Sequence, residues 1–356
     1  MSNLDWVILI GTLLFIVLYG TWKTKGAKNL QSYLKGNNDA KWWGIGISIM
    51  ATQASAITFL STPGQAYTDG MRFVQFYFGL PVAMIILSVT FVPIFYRLKV
   101  FTAYEYLETR FDLKTRSLAA VLFLIQRGLA AGITIYAPAI ILSTLLNWNL
   151  TLTNIFIGLL VIIYTVSGGT KAVTQTQKQQ MVVMMGGMIL AGVLVLNMLP
   201  ENIGFIDAMH IAGSMGKLNM VNFDFSLDDR YNFWTGTTAA LFLFLSYFGT
   251  DQSQVQRYLT GKSLTQSRLG LVMNGLLKVP MQFVILLIGV LVFVFYQFNQ
   301  PPVFFNNVEL NNLKNSELSS QLSELENKHH QIHQSKTQHI YQLVEAKKSD
   351  EKSKIS

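Results

Sequence analysis

Apolar and polar positions fall into blocks along this chain. Eight apolar runs cover about Trp6–Trp22, Trp42–Leu60, Phe73–Tyr96, Leu118–Leu146, Leu152–Val166, Met181–Leu199, Phe233–Phe248 and Leu271–Phe298. Most approach the roughly 20 mostly apolar residues that carry a helix across a hydrocarbon core. Short polar loops separate them. The pattern predicts an all-α, multi-pass membrane protein. The first run has no basic residue before its apolar core and no small-residue cleavage site, so it reads as a retained helix rather than a signal peptide.

Two runs break their own pattern. "IMATQASAITFLSTPGQAYTDG", from Ile49 to Gly70, places Thr52, Gln53, Ser55, Thr58, Ser61 and Thr62 in mid-run, and Pro63-Gly64 reads as its end. Small and hydroxyl residues alone suit close helix packing in lipid. Gln53 suits it less, because a buried amide needs partners for its donors and its acceptor. "LSYFGTDQSQVQRYL" repeats the theme with Gly249, Thr250, Asp251, Gln252, Ser253, Gln254 and Gln256, and Asp251 lies near the midpoint of a span that reaches Tyr258. Both stretches read as interrupted helices. Unwound backbone at membrane depth is tolerated where it lines a cavity, and its carbonyls can coordinate a cation. These are the second and seventh runs, and they cross in opposite directions. That spacing and reversal mark two five-helix repeats of inverted topology.

Composition agrees: 51% of residues are hydrophobic and 13% are charged, against about 25% charged in a soluble domain. The formal charge of +8 does not point to nucleic acid, because of where the basic residues lie. One set of loops holds Lys23, Lys25, Lys28, Lys35 and Lys41, then Arg97, Lys99, Arg110, Lys114 and Arg116, then Lys171 and Lys178, then Arg257, Lys262 and Arg268. The opposite loops offer Arg72, Lys217 and Arg230. By the positive-inside rule the first set is cytoplasmic and the N-terminus is outside. Cysteine is absent, which excludes disulfides and thiolate metal sites.

Residues 1–41 are therefore an extra N-terminal helix and cytoplasmic loop, 42–199 a first repeat, 200–231 an outer loop, and 232–300 the start of a second repeat. Residues 301–356 form a polar outer tail. It has helix-like spacing at Leu318, Leu322, Leu325 and Ile332, and its end, "AKKSDEKSKIS", has a disordered composition. His329, His330, His333 and His339 read as a solvated polar face rather than a metal site, which needs a rigid surrounding shell.

Arg127 lies well inside its apolar run, where a charge costs about 2.5–3.5 kcal/mol on insertion scales. It shares a face with Ala131, Thr134 and Pro138. Two roles compete. One is a structural pair with Asp251, the other a two-pronged grip on a substrate carboxylate.

Five stretches carry a resemblance to the sodium:solute symporter family: "SYLKGNNDAKWWGIGIS", "FTAYEYLETRF", "TIYAPAIIL", "YTVSGGTKAVTQTQKQQ" and "YFGTDQSQVQRYLTGKS". It covers about residues 1–305, and its tone is nearest the sialic acid, monocarboxylate and vitamin branches. The resemblance implies a LeuT-like inverted-repeat (5+5) fold in the cell membrane and solute uptake driven by sodium through alternating access. Sodium is the coupling ion, and no organic cofactor is implied. Matched residue by residue, it implies the carbonyls of Ala51 and Ala54 at sodium. It places Gln53, Ser55, Thr58, Gln75, Gln126 and Arg127 at the substrate, and Tyr247 and Phe248 at a gate. Gln177, Asp251 and Gln252 take structural or coupling roles.

Gln177 stands where the family commonly has an acid, which removes a charge beneath the sodium site. The second repeat has two of its five helices, so half of the expected sodium oxygens are missing. The sialic acid branch favours a sugar acid or similar carboxylate as substrate. The competing reading is a truncated or split transporter fragment, with the C-terminal half on a separate chain, or a membrane partner or sensor. An enzyme is disfavoured. No metal-ligand set or nucleophile–base pair stands out, and Gly168-Gly169 lacks the strand context of a nucleotide loop.

Overall fold

The computed structural model describes residues 6–8, 10–12, 14–15, 18, 38–55, 57–146, 148–226, 228–304 and 307–355. About half of the first apolar run, and Lys23, Lys25, Lys28 and Lys35 of the loop after it, lie outside the described residues. No strand occurs among the described residues, apart from a single parallel bridge between Ala40 and Gly261.

The first broken helix forms as its sequence suggests. Helix α1 spans Trp42–Gln53 and stops at Ala54, whose ψ of 86° leaves the helical region. Thr52 and Ser55 are residues whose side chains compete with the helix for backbone partners. Thr58 Oγ1 donates to the Gln53 carbonyl at 3.1 Å, which satisfies one acceptor freed by the break. The chain re-enters a helix through a π-turn at Ile57–Ser61, then α2 at Thr62–Asp69. Pro63-Gly64 thus does not close the run as the sequence suggests. Pro63 sits in the first turn of α2, where its missing N–H costs nothing.

The third run is three pieces: a 3₁₀ stretch Gly70–Tyr77, α3 at Gly79–Val89 and α4 at Phe91–Leu98. A loop helix α5 spans Ala103–Arg110, and α6 spans Leu113–Leu146. The fifth and sixth runs, expected as separate helices, lie in one helix α7, Leu150–Asn197. The linker between them holds a Gly pair but no proline, and its Thr, Ala, Gln and Lys residues tolerate helix.

Helix α8 spans Phe205–Ser214. The second broken helix begins with a π-turn at Thr235–Ala239 and continues as α9, Ala240–Thr250. It breaks at Asp251 and resumes as α10, Gln252–Leu259. The Asp251 side chain accepts from Ser253 N at 2.9 Å, an N-cap that stabilises the new start. Helix α11 spans Leu264–Phe298, α12 spans Asn307–Lys314 and α13 spans Ser319–Ile355. The tail expected to end in disorder is a helix up to Ile355.

The stretches Ile57–Leu98, Leu113–Thr144, Val173–Asn197 and Leu264–Phe298 are each long and apolar enough to cross a membrane. Two compact units form. One takes residues 1–60, 74–186 and 222–282, the other 61–73, 187–221 and 283–356. The first unit's core joins Ile45 and Ile49 of α1, Leu80, Met84 and Leu87 of α3, Phe244 and Phe248 of α9, and Leu271 of α11. In lipid such a core is held by close packing rather than by expulsion of water. The second unit buries Ala208 and Ile211 of α8 and Ile340 and Val344 of α13.

Candidate functional site

The break in α1 opens onto a cavity of about 300 Å³ lined by Gln53, Tyr77, Leu243, Phe244, Tyr247 and Lys278. Two of these carry unmet polarity. Gln53 Oε1 and Lys278 Nζ are buried and have no hydrogen-bond partner among the described residues. Lys278 is 2% exposed. An unpaired ammonium in an apolar surround is costly, and an anionic group in the cavity would relieve that cost. The sequence reading missed Lys278. The signal was a lone cation inside the apolar run Leu271–Phe298, which is a functional candidate by default.

Tyr247 also faces a second cavity of about 530 Å³, whose polar lining includes Gln126, Ser246 and Asp251. Gln254 Nε2 donates to the Tyr247 hydroxyl at 2.7 Å, and the Arg127 guanidinium carbon lies 5.4 Å from the Tyr247 ring centre. A tyrosine in the wall of both cavities is placed to separate them. Phe248 is fully buried in the core, and its carbonyl accepts from the Tyr258 hydroxyl at 3.1 Å.

The other expected site residues divide. Ala51 and Ala54 flank the break, and the Ala51 carbonyl accepts from Ala54 N at 3.1 Å. Ser55 is half-buried within the break, and Thr58 is buried beside it. Gln75 is engaged by backbone instead. Its amide donates to Tyr231 O at 3.1 Å and accepts from Asn222 N at 2.9 Å, which pins the loop before α9. Gln126 lines the larger cavity and not the one at Gln53. Arg127 donates to the Asp251 carboxylate, so the structural pair weighed from the sequence forms. Gln252 accepts from Ala103 N at 3.0 Å and donates to Phe101 O at 3.1 Å, tying α10 to the start of α5. Gln177 reaches α1 just below the break: Ser48 Oγ donates to it at 2.8 Å, and its amide donates to Thr52 Oγ1 at 3.0 Å.

Residues 33–322 match the family model described as "SSF: Sodium:solute symporter family". The chain belongs to the sodium:solute symporter family. Its relatives are transporters, not enzymes. They include mouse sodium-coupled monocarboxylate transporter 1, 33% identical over 76% of this chain and 44% of the relative. The human sodium/iodide cotransporter is 31% identical over 76% of this chain and 42% of its own length. The rabbit sodium-dependent multivitamin transporter is 30% identical over 83% of this chain and 46% of the relative. A solved structure of a Na⁺-coupled sialic acid symporter in a substrate-bound, outward-open state superposes with a TM-score of 0.79 at 27% identity, over 86% of this chain and 65% of that one. The fold is therefore the LeuT-like fold of this family, as the sequence resemblance implies. This symporter-family chain spans less than half the length of those three curated relatives.

Proposed function

We propose that this chain carries the anion site and part of the sodium site of a sodium-coupled symporter of a small organic anion, which works through alternating access in the cell membrane. The observation that carries the substrate class is Lys278: a buried ammonium beside the broken helix, facing a cavity of about 300 Å³, without a partner of its own among the described residues. An anionic group entering the cavity would pair with it and remove the desolvation penalty. A carboxylate also leaves an oxygen for the surrounding polar groups. Arg127, favoured from the sequence for this role, is already committed to Asp251. A small carboxylate, whether a sugar acid such as sialic acid or a monocarboxylate, fits this chemistry better than a neutral hexose. The names of three relatives or neighbours point the same way, since monocarboxylates, iodide and sialic acid are all anions.

Sodium, in this reading, binds at the break of α1. Residues with small side chains expose the backbone there, and carbonyl oxygen suits a hard cation. Ala51 and Ala54 are the proposed donors, with Gln177 beneath them. The basic loops face the cytoplasm and the N-terminus lies outside.

The test is sodium-dependent binding to the protein in nanodiscs. Lactate and sialic acid should bind with sodium present and glucose should not, and Lys278→Met should weaken carboxylate binding at least about tenfold. Equal binding of glucose, or unchanged carboxylate binding in Lys278→Met, would overturn the assignment.

A further inference from the structure

Within the first unit, a polar cavity of about 210 Å³ is lined by Trp43 and Gly44 of α1, Thr174 and Lys178 of α7, and Asp39 and Thr260 of the adjoining loops. Neither the sodium nor the substrate assignment uses it. Lys178 Nζ lies 4.7 Å from the centre of the Trp43 ring, within the range of a cation–π contact. Gly44 makes room for the amine, since a Cβ there would come within 3.1 Å of Lys178 Nζ.

The bonding around this cavity is uneven. The start of α1 is tied to the end of α10 by backbone: Ala40 N donates to Thr260 O at 3.2 Å, and Lys262 N donates to Ala40 O at 3.1 Å. The bonds from α7 to these inner half-helices run through side chains. Gln177 meets Ser48 and Thr52, Thr170 Oγ1 accepts from Gln256 Nε2 at 2.8 Å, and Lys178 covers Trp43. The inner halves of both broken helices are thus joined to each other through backbone and to α7 through side chains. Of the side-chain links, the Lys178–Trp43 contact is the most open to solvent, with Trp43 44% exposed. At such a site a cation–π contact biases an equilibrium only about two- to fivefold.

We propose that Lys178 and Trp43 form a latch that holds the inner end of α1 against α7, and that releasing it opens this cavity on the side the basic loops assign to the cytoplasm. The assignment of that opening to solute release rests on the symport reading above. Lys178 is then a positioning residue. It touches neither sodium nor substrate and sets how often the inner half-helices swing away.

The chain has no cysteine, so one introduced thiol reports without background. Thr174→Cys lies within the cavity. In nanodiscs, its labelling by a charged maleimide should speed up about two- to fivefold when Lys178→Met or Trp43→Leu is added. Lys178→Arg and Trp43→Phe keep a cation over a ring and should stay near the parent rate. Ala83→Cys, fully buried in the core, should remain protected in every variant. Unchanged labelling in both Lys178→Met and Trp43→Leu, or Lys178→Arg as fast as Lys178→Met, would overturn the latch. So would an equal rise at Ala83→Cys, which would mean general loosening. Labelling reads opening and not uptake. Its failure would remove the latch and leave symport standing, while absence of sodium-dependent binding with the labelling pattern intact would do the reverse.

Discussion

Arg127 of α6 donates to the carboxylate of Asp251, the residue at which the second broken helix unwinds. The same carboxylate caps α10 through Ser253, with N at 2.9 Å and Oγ at 2.6 Å. One side chain therefore starts a helix and neutralises a cation at membrane depth.

Breaking this pair should cost more than removing it. Asp251→Asn leaves a guanidinium without its counter-charge, and with Asp251 7% and Arg127 31% exposed the loss should be about 1–3 kcal/mol. Arg127→Met with Asp251→Asn should recover part of it. Thermal unfolding of the four proteins of a double-mutant cycle measures the coupling. Additive losses would mean the two residues do not meet in the membrane.

Gln177→Glu should restore a negative charge below the break in α1 without changing the side chain's size. Ser48 can still donate to the new carboxylate, while Thr52 loses its donor. A carboxylate attracts sodium when ionised, so sodium should bind more tightly as pH rises through its titration. The parent glutamine should show no such dependence. Sodium titrations at about pH 5 and pH 8, either side of an ordinary glutamate's range, distinguish these outcomes. A pH-independent Gln177→Glu would argue that this position does not sense the ion.

Two glycines should respond oppositely to alanine. A Cβ at Gly236 would sit 2.2 Å from the Gln75 carbonyl oxygen, which is backbone and cannot easily yield. Gly236→Ala should lose about 1–3 kcal/mol or fail to fold. At Gly64, within α2, a Cβ meets nothing within 4 Å. Gly64→Ala should be neutral or stabilising by up to about 1 kcal/mol. Thermal stability of purified protein tests both.

The tail helix should loosen in acid. His333 of α13 is buried against the end of α11, with Nε2 3.4 Å from Tyr296 O, and Lys336 Nζ donates to the same carbonyl at 3.2 Å. Burial, then the nearby Lys336 charge and His329, hold His333 below its usual 6.5, partly offset by bonds to backbone carbonyls of Tyr296 and Asn299. A depressed pKa means that the undocked helix takes up the proton more readily. The stabilising contribution of neutral His333 is therefore complete above about pH 6.5 and fades as pH falls through the docked value. Hydrogen exchange at α13 amides should speed up between about pH 7.5 and pH 5 beyond the intrinsic trend, and His333→Leu should flatten that difference.

The sequence by itself determined the all-helical class, the family and the two breaks, though not where each helix begins and ends. Those depend on local chemistry: an apolar run long enough to span, a polar cluster at Thr52–Ser55, and an Asp at 251 that caps the next helix. It did not determine which polar residues meet. Gln75 and Gln252 carry the same chemistry as Gln53, yet the first two are satisfied by loop backbone while Gln53 keeps an open acceptor at a cavity. Arg127 and Lys278 are both lone cations in apolar runs, and only the packing of α6 against the break at Asp251 pairs one and leaves the other unpartnered among the described residues. A side chain's partner lies 124 residues away for Arg127 and 129 for the Ser48–Gln177 bond, distances over which periodicity and capping carry no information. Tertiary packing decides them, because an intramembrane polar group is satisfied by whichever partner the fold brings within reach.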